Sequence, residues 1–295
     1  MDHIFLNSIT TDAIDLPVLN DSGIKADVLR LDRIHPFIPG NKWFKLRYYL
    51  DDVIRCGKKK IITFGGAWSN HIIATAAISR SYGLQATGII RGERPAIISS
   101  TLQQAKALGM QLVFISREEY KQKKVPPGSG NDHYIINEGG YGKKGAEGAA
   151  TILEHCQRNN YTHIACATGT GTMAAGLAME AGKKIQVIAV SVLKGHDDLA
   201  SNIFALTGKT KTNTRVIHDY HFGGYAKHTP ALLNFMNDLY RQTSVPTDFV
   251  YTGKLFYGIA DMAAKKYFAP GSRLLLIHSG GIQGNTSLDN GTLIF

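Results

Sequence analysis

His163-Ile164-Ala165-Cys166-Ala167-Thr168-Gly169-Thr170-Gly171-Thr172 is the stretch whose reading decides the fold. The unbroken apolar run through Ala167 reads as a strand buried on both faces, and the threonine-glycine turn after it opens a helix expected at 172–181. Strand, glycine turn and helix in that order form half of a βαβ unit. The same order recurs at Ile61-Ile62-Thr63-Phe64, which passes through Gly65-Gly66-Ala67-Trp68-Ser69-Asn70 into a helix expected at 71–82. A third run, Arg273-Leu274-Leu275-Leu276-Ile277-His278, ends in Ser279-Gly280-Gly281. In open α/β sheets, ligands sit beyond the carboxyl ends of the strands, so these three turns are expected to share one cleft.

Further strands read at 86–90, 111–115 and 185–190, with helices at 98–108 and 143–157, which makes the chain an α/β protein with mainly parallel sheets. Its 295 residues, 44% hydrophobic and 19% charged, suit a globular protein of two compact lobes. Residues 118–132, with Pro126-Pro127-Gly128-Ser129-Gly130, have loop composition and read as a boundary or flap. No stretch is apolar enough to cross a bilayer, and Met1 to Phe5 has no export-signal pattern. Three widely spaced cysteines, Cys56, Cys156 and Cys166, fit neither a disulfide framework nor a zinc site, and a reducing cytosol is the expected compartment.

The net charge of +10 raises nucleic acid as a partner, but the lysines are scattered. The clusters Lys58-Lys59-Lys60 and Lys121-Gln122-Lys123-Lys124 read as solvated loops, with no basic-aromatic module beside them. His218-Asp219-Tyr220-His221 lacks a third ligand at metal-site spacing, so no metal is expected. Neither a G-x-S-x-G elbow nor a Walker loop nor H-E-x-x-H occurs, which removes support for hydrolases and nucleotide phosphotransferases.

The glycine turns at 65–70 and 168–172 are anion seats, since free amides and the positive helix end converge there. The second is not a dinucleotide fingerprint, because position 174 is Ala and Val190-Ser191-Val192-Leu193-Lys194 offers no acid for a ribose. A nicotinamide-dependent oxidoreductase therefore stands as a distant alternative. Gly40-Asn41-Lys42-Trp43-Phe44-Lys45-Leu46 places a lysine between a turn and an apolar segment, with Asn41 as the expected N-cap. Lys42 alone reads as a solvated lysine on a first helical turn, whereas a Schiff-base lysine requires a desolvated amine of lowered pKa. Ser69 or Asn70 alone reads as a plain N-cap, which leaves Gly65-Gly66 unexplained. Two anion seats and a lysine together suggest pyridoxal phosphate holding an amino acid.

In that order and spacing, these motifs resemble the 1-aminocyclopropane-1-carboxylate deaminase and D-cysteine desulfhydrase group of pyridoxal-phosphate enzymes. The group is related in fold to the tryptophan synthase β chain, fold type II, and the likeness runs from Gly40 to the turn at Ser279. It implies two three-layer α/β/α lobes, with 45–130 as a smaller domain and 1–44 plus 131–295 as a larger cofactor-binding domain. By the same resemblance Lys42 forms the Schiff base, Ser69 is a nucleophile or proton acceptor, and Asn70 lies beside the cofactor's phenolic oxygen. Thr168, Gly169, Thr170, Gly171 and Thr172 become the phosphate cradle, Tyr225 and Tyr251 the two active-site tyrosines, and Ser279 the partner of the pyridine nitrogen. The substrate carboxylate is expected at Ser69, Asn70 and His71, and the assembly is expected to be a homodimer.

The chain departs from the group in places. The usual Asn-Lys-x-Arg-Lys-Leu-Glu is here Asn41-Lys42-Trp43-Phe44-Lys45-Leu46-Arg47, and Trp68 stands where the group commonly has Gln. The cyclopropane-opening enzymes carry a glutamate after the second tyrosine, where it keeps the pyridine nitrogen protonated. Thr252 holds that cofactor-side position here with a neutral hydroxyl. A weaker electron sink suffices when a good leaving group departs from the β carbon. The expectation is thus β-elimination from D-cysteine or a related amino acid to keto acid, ammonia and sulfide. Ring opening of 1-aminocyclopropane-1-carboxylate and cofactor binding without turnover remain as alternatives.

Overall fold

The computed structural model describes residues 5–35, 38–125, 132–208 and 213–295. In chain order the elements are β1 (Thr11–Ile14), α1 (Pro17–Asp21), β2 (Lys25–Arg30), α2 (Gly40–Arg55), β3 (Lys60–Gly65), α3 (Asn70–Ser81) and β4 (Gln85–Arg91). Next come α4 (Ser100–Ala107), β5 (Gln111–Ile115), α5 (Arg117–Lys121), β6 (His133–Ile136), α6 (Lys143–Ala150), β7 (His163–Thr168), α7 (Thr172–Glu180) and β8 (Gln186–Ser191). The chain closes with α8 (Leu199–Thr207), β9 (Thr214–Ile217), α9 (Pro230–Thr243), α10 (Thr252–Ala264) and β10 (Arg273–His278).

The strands form two sheets, one of six in the order β1-β2-β10-β7-β8-β9 and one of four in the order β5-β4-β3-β6. Every pairing is parallel except β1 with β2. The α/β class and the parallel pairing are as expected. Their apolar runs are continuous because helices cover both faces of the central strands, as the burial of Ile164 through Thr168 and of Leu274 through His278 records.

Three details differ from the sequence reading. Residues 118–121 are helical, because Ser116 and Glu119 form a reciprocal capping box that starts α5. Beyond it, Pro126 to Gly130 lie outside the described residues. The strand His133–Ile136 pairs with β3, so the four-stranded sheet extends past the expected boundary at 130. The helix near 143–157 is α-helical only to Ala150 and tightens into a 3-10 turn over Thr151–His155.

Helix α2 is the wedge between the lobes. Phe44 packs into the core beneath the six-stranded sheet, while Leu46, Tyr49, Leu50 and Val53 pack into that of the four-stranded sheet. Each such burial is worth about 1.5–3 kcal/mol of transfer free energy, so both cores hold this helix in place. Among the described residues, no helix is long and apolar enough to cross a membrane, and no group of three His, Cys, Asp or Glu side chains could hold a metal ion.

Candidate active site

A cavity of about 680 Å³ opens at the carboxyl ends of β3, β7 and β10. The glycine turns from both sheets and the start of α2 line it, and so do Lys42, Ser69, Asn70, His71, Tyr225, Tyr251 and Ser279. Of the threonine-glycine turn, Thr168, Gly169 and Thr170 reach the wall. Gly171 and Thr172 stand behind it. The Gly171 amide donates to Thr168 Oγ1 at 3.1 Å, and the Thr172 and Thr170 hydroxyls are 2.9 Å apart.

Lys42 is held at the cavity by close backbone packing. Helix α2 begins at Gly40 with Pro39 as N-cap, so Asn41 sits inside the first turn and is not the cap. The Asn41 amide donates to the Ser279 carbonyl at 3.2 Å, which ties the helix start to the turn after β10. Contact this tight requires glycine twice: a Cβ on Gly40 would lie 2.1 Å from the Leu31 carbonyl, and one on Gly280, whose φ is +77°, 2.8 Å from the Gly40 nitrogen. The Lys42 amine donates to Asn41 Oδ1 at 3.3 Å and lies 5.9 Å from the centre of the Tyr251 ring. Burial lowers its pKa to about 8, opposed by the charge of Asp248. The site thus contains the desolvated amine that a Schiff base requires.

Lys45 is a second buried amine, one turn further along the same face, which the sequence reading passed over. Its pKa is pushed well down by burial and by Lys42, and it forms no ion pair among the described residues. The turn Gly139-Gly140, also unrecognised in the sequence, packs against it, since a Cβ on Gly140 would lie 3.2 Å from the Lys45 Cβ. Lys123, expected in a solvated loop, also lines the cavity, with its amine 5.0 Å from the centre of the Phe64 ring.

On the other wall, Ser69 caps α3 by accepting from the Ile72 amide at 3.4 Å. His71 is buried, and its Nε2 lies 2.7 Å from Thr63 Oγ1. That hydroxyl already donates to the Ile136 carbonyl, so Nε2 carries the proton and Nδ1 keeps a bare lone pair. Nδ1 has no partner among the described residues, and burial followed by the charges of Lys42 and Lys45 pushes the imidazole well below its ordinary pKa.

The two tyrosines meet edge to face, with ring centres 6.2 Å apart. Tyr251 precedes α10, and its amide donates to Asp248 Oδ1 at 2.7 Å. The same buried carboxylate accepts the amides of Val250 and Thr252 and the Thr252 hydroxyl, the last at 2.6 Å. Thr252 is therefore held by Asp248 and does not reach the cavity wall. On the remaining side, His278 Nε2 donates to the Pro246 carbonyl at 2.5 Å and anchors the strand end that presents Ser279.

Known proteins resemble this chain in sequence and in fold. The sequence profile of the pyridoxal-phosphate dependent enzyme family matches residues 6–280. A Pyrococcus furiosus protein provisionally named a 1-aminocyclopropane-1-carboxylate deaminase is 30% identical over 272 residues, covering 84% of this chain and 82% of its own. The D-cysteine desulfhydrase of Salmonella typhi is 27% identical over 295 residues, covering 90% of each chain. A crystal structure described as an ACC deaminase homologue superposes with a TM-score of 0.76 at 26% identity, over 97% of this chain and 93% of its own. The match sets aside the nicotinamide alternative: from its fold and its sequence alike, this chain belongs to the pyridoxal-phosphate dependent enzyme family.

Proposed function

We propose that the protein carries out β-elimination on a small amino acid, releasing a keto acid, ammonia and, from D-cysteine, sulfide. The observation that carries this choice over ring opening is Thr252: the position after Tyr251 holds a neutral hydroxyl, and Asp248, the carboxylate it bonds, is buried behind the cavity wall. Relatives named for D-cysteine desulfhydrase and for both activities support the same reading.

The residues present fit the cofactor. Lys45 has no ion pair among the described residues and lines the cavity, so an anion bound there would stabilise its charged form, and the Thr168-Gly169-Thr170 wall lies at the start of α7, where main-chain amides favour phosphate. Lys42 would hold the aldehyde, with Asn70 and Ser279 at the ring. Once bound, the cofactor's ring draws electron density from the substrate and acidifies its α C–H bond.

The chain's own residues do the rest. The amides at the start of α3, with Ser69, receive the substrate carboxylate at the positive helix end. Lys42, whose pKa of about 8 keeps a usable fraction as free amine, takes the α proton. The Tyr225-Tyr251 pair covers the cavity beside that amine and limits entry of water. In this reading the enzyme acts as a homodimer in the cytoplasm, with the smaller lobe running from about residue 45 through the strand that ends at Ile136 and the rest of the chain as the larger lobe.

A panel of D- and L-amino acids and 1-aminocyclopropane-1-carboxylate, scored for keto acid and sulfide, tests the proposal. Keto acid with sulfide from D-cysteine is expected. Keto acid from the cyclopropane alone would overturn the choice of reaction, and a cofactor-loaded protein that releases keto acid from nothing would overturn enzymatic turnover.

A further inference from the structure

Lys254 is a fully enclosed lysine that the reaction as described does not use. It lies in the first turn of α10, close after Tyr251. Its ammonium donates to two main-chain carbonyls, those of His221 at 2.9 Å and Gly224 at 2.7 Å. Both partners are neutral, so the hydrogen bonds must offset the desolvation of a charge, an arrangement costlier than an apolar side chain in the same place.

The two carbonyls belong to the loop that carries Tyr225. That backbone is unusual: Phe222, Gly223, Gly224 and Ala226 all lie in the left-handed region, with φ of 50°, 94°, 121° and 53°. For the two residues that are not glycine this costs about 1–2 kcal/mol each. The same carbonyls close the loop's own turns, with Gly224 N–H donating to His221 at 2.9 Å and Lys227 N–H to Gly224 at 3.2 Å. Each oxygen therefore accepts twice, once from the loop and once from the ammonium between them. Apolar contact adds a second tie, since Phe222 packs edge to face on Tyr257 of α10 at 4.9 Å.

We propose that Lys254 is a positioning residue that locks Tyr225 against Tyr251 over the cavity, an inference that rests on the reaction proposed above. One ammonium, fixed to the helix turn that follows Tyr251, grips the loop carrying Tyr225. That grip and the Phe222–Tyr257 contact tie both rings to one helix. The phosphate wall and Lys42 belong to other elements and do not depend on it.

The test compares cofactor-loaded Lys254→Met, Lys254→Gln, Tyr225→Ala and the double variant Lys254→Met/Tyr225→Ala. Lys254→Met is expected to lower kcat about 10- to 100-fold, the scale of a misplaced catalytic group, with cofactor absorbance and cofactor affinity unchanged. The double variant should be no slower than Tyr225→Ala alone, because both changes remove the placement of the Tyr225 ring over the cavity. Lys254→Gln, whose amide retains two N–H donors, should recover most of the turnover. Hydrogen exchange at the Gly224 and Lys227 amides needs no substrate: it should speed up at least tenfold in Lys254→Met while the amides of α7 keep their rates. An unchanged exchange rate at those two amides, a wild-type kcat, or losses that multiply in the double variant would overturn the proposal. A panel in which the wild-type protein releases keto acid from nothing, combined with faster loop exchange in Lys254→Met, would remove the reaction and leave the anchor standing.

Discussion

The turn before α7 and the turn before α3 open onto the same cavity from different sheets, and they are built in opposite ways. In the first, the side chains serve the turn itself: Thr168 takes the Gly171 amide, and Thr170 and Thr172 bond to each other. The helix behind it is buried from Thr172 through Ala178. In the second, Ser69 makes one long capping bond and His71 keeps a bare nitrogen. A turn whose side chains are satisfied internally offers main-chain amides, suited to a group that stays. One whose side chains are uncommitted can exchange partners, suited to a substrate that comes and goes.

The sharpest way to break this contrast acts between the two turns. Lys42→Ala should abolish the visible absorbance of the loaded protein and lower turnover by about 100- to 10,000-fold. In the cofactor-free protein, capture should quicken as pH rises and level off above about 8, because burial has lowered the amine's pKa and only its neutral form attacks an aldehyde. A rate still climbing at pH 10 would mean that Lys42 is solvated.

A smaller effect sharpens the claim for the resident side. Lys45→Met should weaken cofactor binding about 10- to 100-fold, the worth of one charge-assisted hydrogen bond. The same change should raise the melting temperature of the cofactor-free protein, because it replaces a buried amine that has no ion-pair partner among the described residues with an apolar side chain. Equal melting shifts with and without cofactor would show that Lys45 does not meet the phosphate.

The smallest change probes the exchanging side. Ser69→Ala should raise KM about tenfold while losing at most about 1 kcal/mol of stability, since the cap it removes is long. Lost stability with an unchanged KM would make Ser69 a cap and nothing more.

The order of these elements was legible because strands buried on both faces appear as uninterrupted apolar runs, and glycine marks where a ligand approaches backbone. Lys42 became legible only through its resemblance to a known motif. Lys45 and Lys254 were not legible, because a lysine in a helix looks solvated until the elements that bury it are known, and those come from distant parts of the chain. Thr252 was read correctly as a neutral hydroxyl, but its bond to Asp248 follows from how the turn before α10 folds back, which spacing does not encode. The short helix at 117–121 was hidden in a stretch of loop composition, although its capping box, Ser116 with Glu119, is a local signal open to a closer reading.

Strand β10 lies between β2 and β7 and is the last strand among the described residues, flanked by partners made much earlier. On a ribosome, the four-stranded sheet has all its strands once Ile136 has emerged, whereas the six-stranded sheet keeps an open slot until His278 is out. Ser279 and the anchor for the Asn41 amide arrive with that last strand, so a nascent chain can collapse around half of its architecture long before it can seat a vitamin.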